Sequence, residues 1–225
     1  MIKQAKPKIT IAICVRNGEK YLAEAINSAR LQSHPPTQIL VVDDHSADRS
    51  SDIATELGCD LIRQRSEGLG AARNIAFAQA KGDHVYFLDS DDFMTGDSLR
   101  FLVQALNATP GAVGAVGFRQ TFISPELSPT RTSGEPKQLE RNRGLLCGGG
   151  LWSKGLGSAF LFDENSLVTD VEWALALRDS GLVFAESNET VMFRRVHLNN
   201  LSAREEVRNA YLSLAIKRRK SALET

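Results

Sequence analysis

In VYFLDSDDFM, an apolar run over residues 85–88 ends in Asp89, Ser90, Asp91 and Asp92. Carboxylates this close raise one another's proton affinity unless a cation intervenes, because like charges at short range disfavour joint ionisation. A divalent metal resolves the conflict. Oxygen ligands suit Mg²⁺ or Mn²⁺, and a magnesium-like ion takes one or two protein carboxylates while substrate phosphates complete its shell. The pattern points to a nucleotide diphosphate. A second acidic pair, Asp43 and Asp44, closes the run QILVV, and Arg16 and Asn17 follow ITIAICV.

The elements that must position these groups are legible from periodicity. Short β-branched runs alternate with longer amphipathic stretches, the signature of βαβ units and a mostly parallel sheet. Strands are expected over 9–15, 38–44 and 60–64, and HVYFLDSDD supplies a fourth. Helices are expected over NGEKYLAEAINSARLQ, near 49–57, over AARNIAFAQA and over about 97–107, the last started by Thr95 or Asp97 as a cap. In an open parallel sheet, ligands collect at the carboxyl ends of the strands. Arg16 and Asn17, Asp43 and Asp44, and Asp89 to Asp92 should therefore converge.

The second half is less regular. AVGAVGF (112–118) reads as a strand, and the Pro-, Ser- and charge-rich stretch over 124–142 reads as a mobile excursion. The glycine-rich CGGGLWSKGLG (147–157) reads as a loop, with Trp152 a sugar-platform candidate and Trp173 a core residue. SAFLF is expected as a strand, TDVEWALALRDSG as a helix closed by Gly181, and LVFAE and TVMFRR as two short strands. The tail from Ala203 reads as an amphipathic helix ending in the basic run KRRK.

The 225 residues fit one domain, with a ligand-binding half over about 1–107, a second half over about 108–203 and a terminal helix over 204–225. Lys plus Arg and Asp plus Glu each total 27, so no global field recruits nucleic acid. The KRRK run is read as a solvated helix end ahead of peripheral membrane attachment. Cys14, Cys59 and Cys147 are odd in number and form no CxxC pair, which argues against a disulfide framework or a zinc site. The polar start MIKQAKPK is neither a secretory signal nor a spanning helix, so a cytoplasmic protein is expected.

IAICVRNGEKYLAEAI, ILVVDDHSADRS, GLGAARNIAFAQAKGDHVYFLDSDD and TDVEWALALRDSGLVFAESNETVMFRRVHLNNLS together resemble the family 2 glycosyltransferases of GT-A fold. The resemblance implies a Rossmann-like, mostly parallel α/β sheet flanked by helices, with a small acceptor-side portion. It implies an inverting enzyme that moves a sugar from a nucleotide-diphosphate sugar, UDP-linked, to an acceptor hydroxyl with Mn²⁺ or Mg²⁺. Asp89, Ser90 and Asp91 match the family's DxD motif, whose last aspartate binds the metal and whose first faces ribose or metal. Asp44 matches the carboxylate that reads the base, with Asp43 ordering the loop. Arg73 matches a basic residue near the diphosphate, Asp170 the catalytic base, and His197 a histidine that joins the metal site or contacts the leaving diphosphate.

Three departures bear on these roles, one of them a shortened acceptor-side segment before Asp163. Cys14 and Arg16 replace residues common at the end of strand one, and Arg16 could stack on the base or pair with phosphate. The acidic pair containing the base reads Thr169-Asp170, without its glutamate. Structural alternatives stand beside the functional ones: an Asx turn for Asp43 and Asp44, and a capping box of Thr169 with Glu172 that places Asp170 in a helix's first turn. The missing glutamate also motivates a second reading, a degenerate scaffold that binds sugar nucleotide without transfer.

Overall fold

The computed structural model describes residues 6–127, 138–144 and 146–223. A nine-stranded sheet runs through it in the order β3-β2-β1-β4-β8-β6-β9-β5, with β7 paired to β6. The first half alternates as its sequence dictates: β1 (Ile9–Val15), α1 (Leu22–Arg30), β2 (Gln38–Asp43), α2 (Ser50–Glu56), β3 (Asp60–Arg63), α3 (Leu69–Gln79) and β4 (His84–Asp89). All pairings among β1 to β4 are parallel.

Strand β1 explains the layering. Ile9, Ile11, Ile13 and Val15 point to one face, where α1 and α4 (Ser98–Ala108) cover them, while Ala12 and Cys14 point to the other, under α3. Side chains alternate across a strand, so a nearly continuous apolar run must be covered on both faces. Each branched side chain so buried contributes roughly 1.5–3 kcal/mol. The chain runs outward from β1 through β2 to β3, then returns across it to β4. The C-terminal ends of β1 and β4 therefore flank a topological switch point, the usual ligand crevice of such sheets.

The second half holds β5 (Phe93–Met94), β6 (Gly114–Ile123), β7 (Gln138–Asn142), β8 (Gly150–Ser153), α5 (Leu156–Ala159), α6 (Thr169–Asp179), β9 (Ala185–Val196) and α7 (Glu205–Leu223). β6 and β9 pair in parallel, while β8 is antiparallel to both β4 and β6. The two-residue strand β5 escaped sequence reading.

Several expectations need correction here. The glycine-rich stretch is no plain loop, because it forms β8 and α5. Trp152 on β8 is fully buried, donates from Nε1 to the Cys147 carbonyl at 3.0 Å and meets Trp173 edge-on at 5.0 Å, so it cannot serve as a sugar platform. SAFLF is not a strand: the Asn74 side chain bonds both backbone groups of Phe162, at 3.0 and 2.9 Å, in place of a neighbouring strand. LVFAE and TVMFRR are not separate strands, because β9 is continuous and register shifts against β6 absorb the polar residues between them. Residues 128–137 of the expected excursion lie outside the described residues. Its flanks form a short turn at Pro125–Leu127 and the strand β7.

Candidate active site

The end of β2 is built by its own aspartates. Asp43 accepts hydrogen bonds from the Ser46 backbone at 3.0 Å and from the Ser51 hydroxyl, closing the turn before α2. It is 3% exposed, so its role is local order. Asp44 Oδ1 accepts from Gln64 Nε2 at 2.5 Å and from the Gly68 N–H at 3.1 Å, and Arg16 Nη1 stands 3.7 Å from Oδ2. Gly68 takes φ of +110°, which favours glycine and turns its N–H onto that carboxylate. Oδ1 is thus occupied, and Oδ2, which the same Gly68 N–H reaches at 3.2 Å, faces the exposed guanidinium. Asn17, with φ of +53°, ties the end of β1 to this loop through the Ser46 hydroxyl and the Ala47 N–H.

At the end of β4, Asp89 lies in register with Cys14 on β1. Arg73 reaches from α3 to Asp89 Oδ1 at 3.3 Å, and its Nη1 is buried without a partner. Burial opposes the charge on Arg73; near neutral pH, where the Cys147 and Cys14 thiols are uncharged, Asp89 and Asp170 offset that penalty. A β-carbon at Gly148 would come within 3.1 Å of Asp89 Oδ2, so the glycine keeps the approach to that carboxylate clear. Ser90 follows, half-buried, against Gly18.

Asp91 faces the segment after β9. Its Oδ2 stands 2.9 Å from His197 Nε2 and accepts from Asn200 Nδ2 at 3.0 Å. Asp92 turns inward to accept from the Arg195 N–H at 2.8 Å, and burial, reinforced by Asp91 and Asp89, pushes its carboxyl well above the usual range. Arg195 locks this corner. Its Nε donates to the Asp91 carbonyl at 2.9 Å, its Nη2 pairs with Glu24 at 2.5 Å, and its guanidinium sits 4.5 Å from the Tyr21 ring and 4.8 Å from the Phe122 ring.

Asp170 occupies the first turn of α6, half-buried, within electrostatic reach of Arg73, Arg119 and Tyr211. The expected capping box is absent: Val168 holds the N-cap position, no side chain caps the helix, and the Thr169 hydroxyl and Glu172 Oε2 are buried without partners. Asp170 and Asp89 both act on the charges of Arg73 and Arg119.

Arg119, Tyr211 and Asn200 are candidate site residues that sequence reading did not single out. Arg119 lies in β6 with its Nε buried and unpartnered; burial lowers its proton affinity, and Asp89, Asp92 and Asp170 oppose that shift. A charged residue inside the apolar run AVGFRQTF was the available signal. Tyr211, brought in by α7, carried none.

Among the described residues, no three His, Cys, Asp or Glu side chains converge as a closed metal site. An open site of one or two carboxylates completed by phosphates does not require such a group. Nor is any described helix long and apolar enough to cross a membrane.

Comparison with known proteins bears on the fold and the family. An uncharacterized glycosyltransferase of Nostoc sp. is 38% identical over 115 residues, which span 48% of this chain and 35% of that protein. The chain thus spans about a third of that relative. Staphylococcus aureus TarS 1-349, solved with UDP-GlcNAc, superposes with TM-score 0.68 at 20% identity over 93% of this chain and 66% of that one. The mannosyltransferase PcManGT of Pyrobaculum calidifontis, solved with GDP-Man and Mn²⁺, gives 0.67 at 17% identity over 89% and 60%. These likenesses give the fold, GT-A, as the resemblance implied. The sequence profile of glycosyl transferase family 2 matches residues 10–162, two thirds of the 225, and the chain belongs to that family.

Proposed function

We propose that the chain transfers a sugar, with inversion, from a UDP-linked sugar to an acceptor hydroxyl, and that it uses Mn²⁺ or Mg²⁺. One observation carries the reading: a buried guanidinium with an unpartnered nitrogen, Arg73, lies against Asp89, two residues before the tethered Asp91 at the switch point. A buried donor without a partner is costly to keep. A diphosphate oxygen would satisfy it. The solved relatives bound to UDP-GlcNAc and to GDP-Man with Mn²⁺ support the same donor class and cofactor.

In this mechanism Asp44 Oδ2 accepts from the base, Arg16 lies over it, and Asp89 and Ser90 face the ribose. Asp91 holds the cation with His197 close by, and Arg73 holds the diphosphate. Bound there, the ion supplies Lewis-acid stabilisation of charge on the leaving group. Asp170 takes the proton of the acceptor hydroxyl while its oxygen bonds to the anomeric carbon. The bond from that carbon to the phosphate oxygen breaks, and its electron pair leaves with the diphosphate. A single displacement inverts the centre. The three cysteines are free, which supports a reducing cytosolic setting.

Release of nucleoside diphosphate from a panel of sugar nucleotides, with and without Mn²⁺, tests the proposal. Turnover that requires metal and is lost in Asp91→Ala is expected. Binding without turnover for any acceptor would favour the degenerate scaffold, and absence of binding would sink both.

A further inference from the structure

Arg119 and Arg194 are neighbours on the second half of the sheet. Along the β6–β9 pairing Arg119 stands opposite Met192 and Thr121 opposite Arg194, so the two arginines share one face, a diagonal step apart. Each guanidinium bonds only a neutral side chain: Arg119 Nη2 donates to Asn142 Oδ1 at 3.3 Å, and Arg194 Nη2 to Ser202 Oγ at 3.1 Å. Among the described residues neither forms an ion pair, and Arg119 Nε is buried without a partner. Like charges on neighbouring strands repel, and a buried donor left unbonded is costly. An oxyanion answers both, because the guanidinium fork donates two parallel hydrogen bonds to phosphate or carboxylate.

The pair stands on the side of the site away from the donor half. Arg73 comes from α3, which covers β1 and β2, whereas β6 and β9 lie beyond β8 across β4. Gly148 and Gly149 join the two sides: a β-carbon on Gly149, whose φ is +79°, would come within 3.3 Å of the Arg119 stem, as one on Gly148 would meet Asp89. Asp170, the base of the mechanism above, acts on the charge of Arg119 yet makes no hydrogen bond or ion pair with it. Tyr211, half-buried on α7, links the base to the other arginine: burial pushes its phenol up, Asp170 reinforces the shift and Arg194 opposes it.

We propose that the acceptor is anionic, with a phosphate or carboxylate group held between Arg119 and Arg194 and its hydroxyl turned toward Asp170. This acceptor class rests on the transferase reading above. No bond forms or breaks at the two arginines; they fix the acceptor while its hydroxyl reacts.

Arginine ¹⁵Nε NMR of the full chain, saturated with UDP and Mg²⁺ and titrated with glycerol 3-phosphate, glycerate or glycerol, tests the subsite. Saturable shifts of the Arg119 and Arg194 signals are expected with at least one anion, which names the group, and none with glycerol. Arg119→Gln and Arg194→Gln should each weaken binding of that anion about tenfold or more, the size of a lost charged hydrogen bond, while UDP affinity stays near wild type. Retained UDP binding also reports that the variants are folded. Arg119→Lys, which keeps the charge without the fork, should recover part of the loss. Anion binding no stronger than that of glycerol, or unchanged in both glutamine variants, overturns the subsite and leaves the donor reading standing. UDP affinity that falls in step with anion affinity assigns the arginines to the donor diphosphate and overturns the subsite as well. A chain that binds no UDP overturns both readings.

Discussion

Arg73 and Asp89 form an ion pair at 3.3 Å in which the guanidinium is 3% exposed and the carboxylate 47%. The asymmetry separates stability from function. Removing Asp89 would strand a buried charge, whereas removing Arg73 leaves a carboxylate that water can solvate. Arg73→Met keeps the stem against Phe162, whose ring lies 5.5 Å from the guanidinium. Its melting temperature should be unchanged or higher. Its affinity for UDP with Mn²⁺ should fall about 10–100-fold, the size of a lost charged hydrogen bond of about 1.5–3 kcal/mol. Calorimetry and a thermal melt on the same sample check both halves.

Asp170 has no capping partner to satisfy, so its substitution should act on chemistry. Asp170→Asn should lower turnover about 10²–10⁴-fold, the usual contribution of a general base, while UDP–Mn²⁺ affinity stays near wild type. An equal loss in binding and turnover would point to a role in holding the donor.

The thiols under the site should be inert. Burial pushes Cys14 up to about 12, with Arg73 opposing and Asp89 and Asp44 reinforcing, and burial likewise raises Cys147. Thiolate is the reactive form, so neither residue should react with iodoacetamide at pH 8 until the chain is unfolded. Both acids have raised folded-state pKa values. Their effect on stability is therefore nil below the unfolded thiol value of about 8.5, and stability is lost as pH rises above it. Mass spectrometry of labelled native protein checks the first point, and denaturant melts at pH 7 and 10 the second.

Trp152→Ala should cost about 3–5 kcal/mol, as expected for an emptied aromatic core site. Trp152→Phe should leave the KM for sugar nucleotide unchanged. A raised KM with unchanged stability would restore the sugar-platform role.

The parallel half of the fold was legible because period and burial agree: β1 is apolar at every position but the buried Thr10, whose hydroxyl donates to Gln38, and is covered on both faces. The acidic strand ends were legible for the same reason, since polar groups at the end of a buried run have few structural uses. β8 was not, because a four-residue strand in a glycine run has no period and exists only through pairing with β4 and β6. Phe160 and Phe162 gave a strand-like pattern, but Asn74 of a distant helix claims the Phe162 backbone. Ser187, Asn188 and Glu189 fell between the two expected strands; Arg143 and Arg141 bind the Ser187 and Asn188 carbonyls along β9. In the site, Asp91 and His197 are visible in sequence, but that they meet, with Asn200 as a third partner, depends on loop geometry.

The most direct test is calorimetric titration of UDP into wild type and Asp91→Ala, each with and without Mn²⁺. Binding that is strong only with Mn²⁺ in wild type, and insensitive to Mn²⁺ in Asp91→Ala, is the predicted result. UDP binding of equal strength with and without metal in wild type would contradict a metal-dependent donor site at the end of β4.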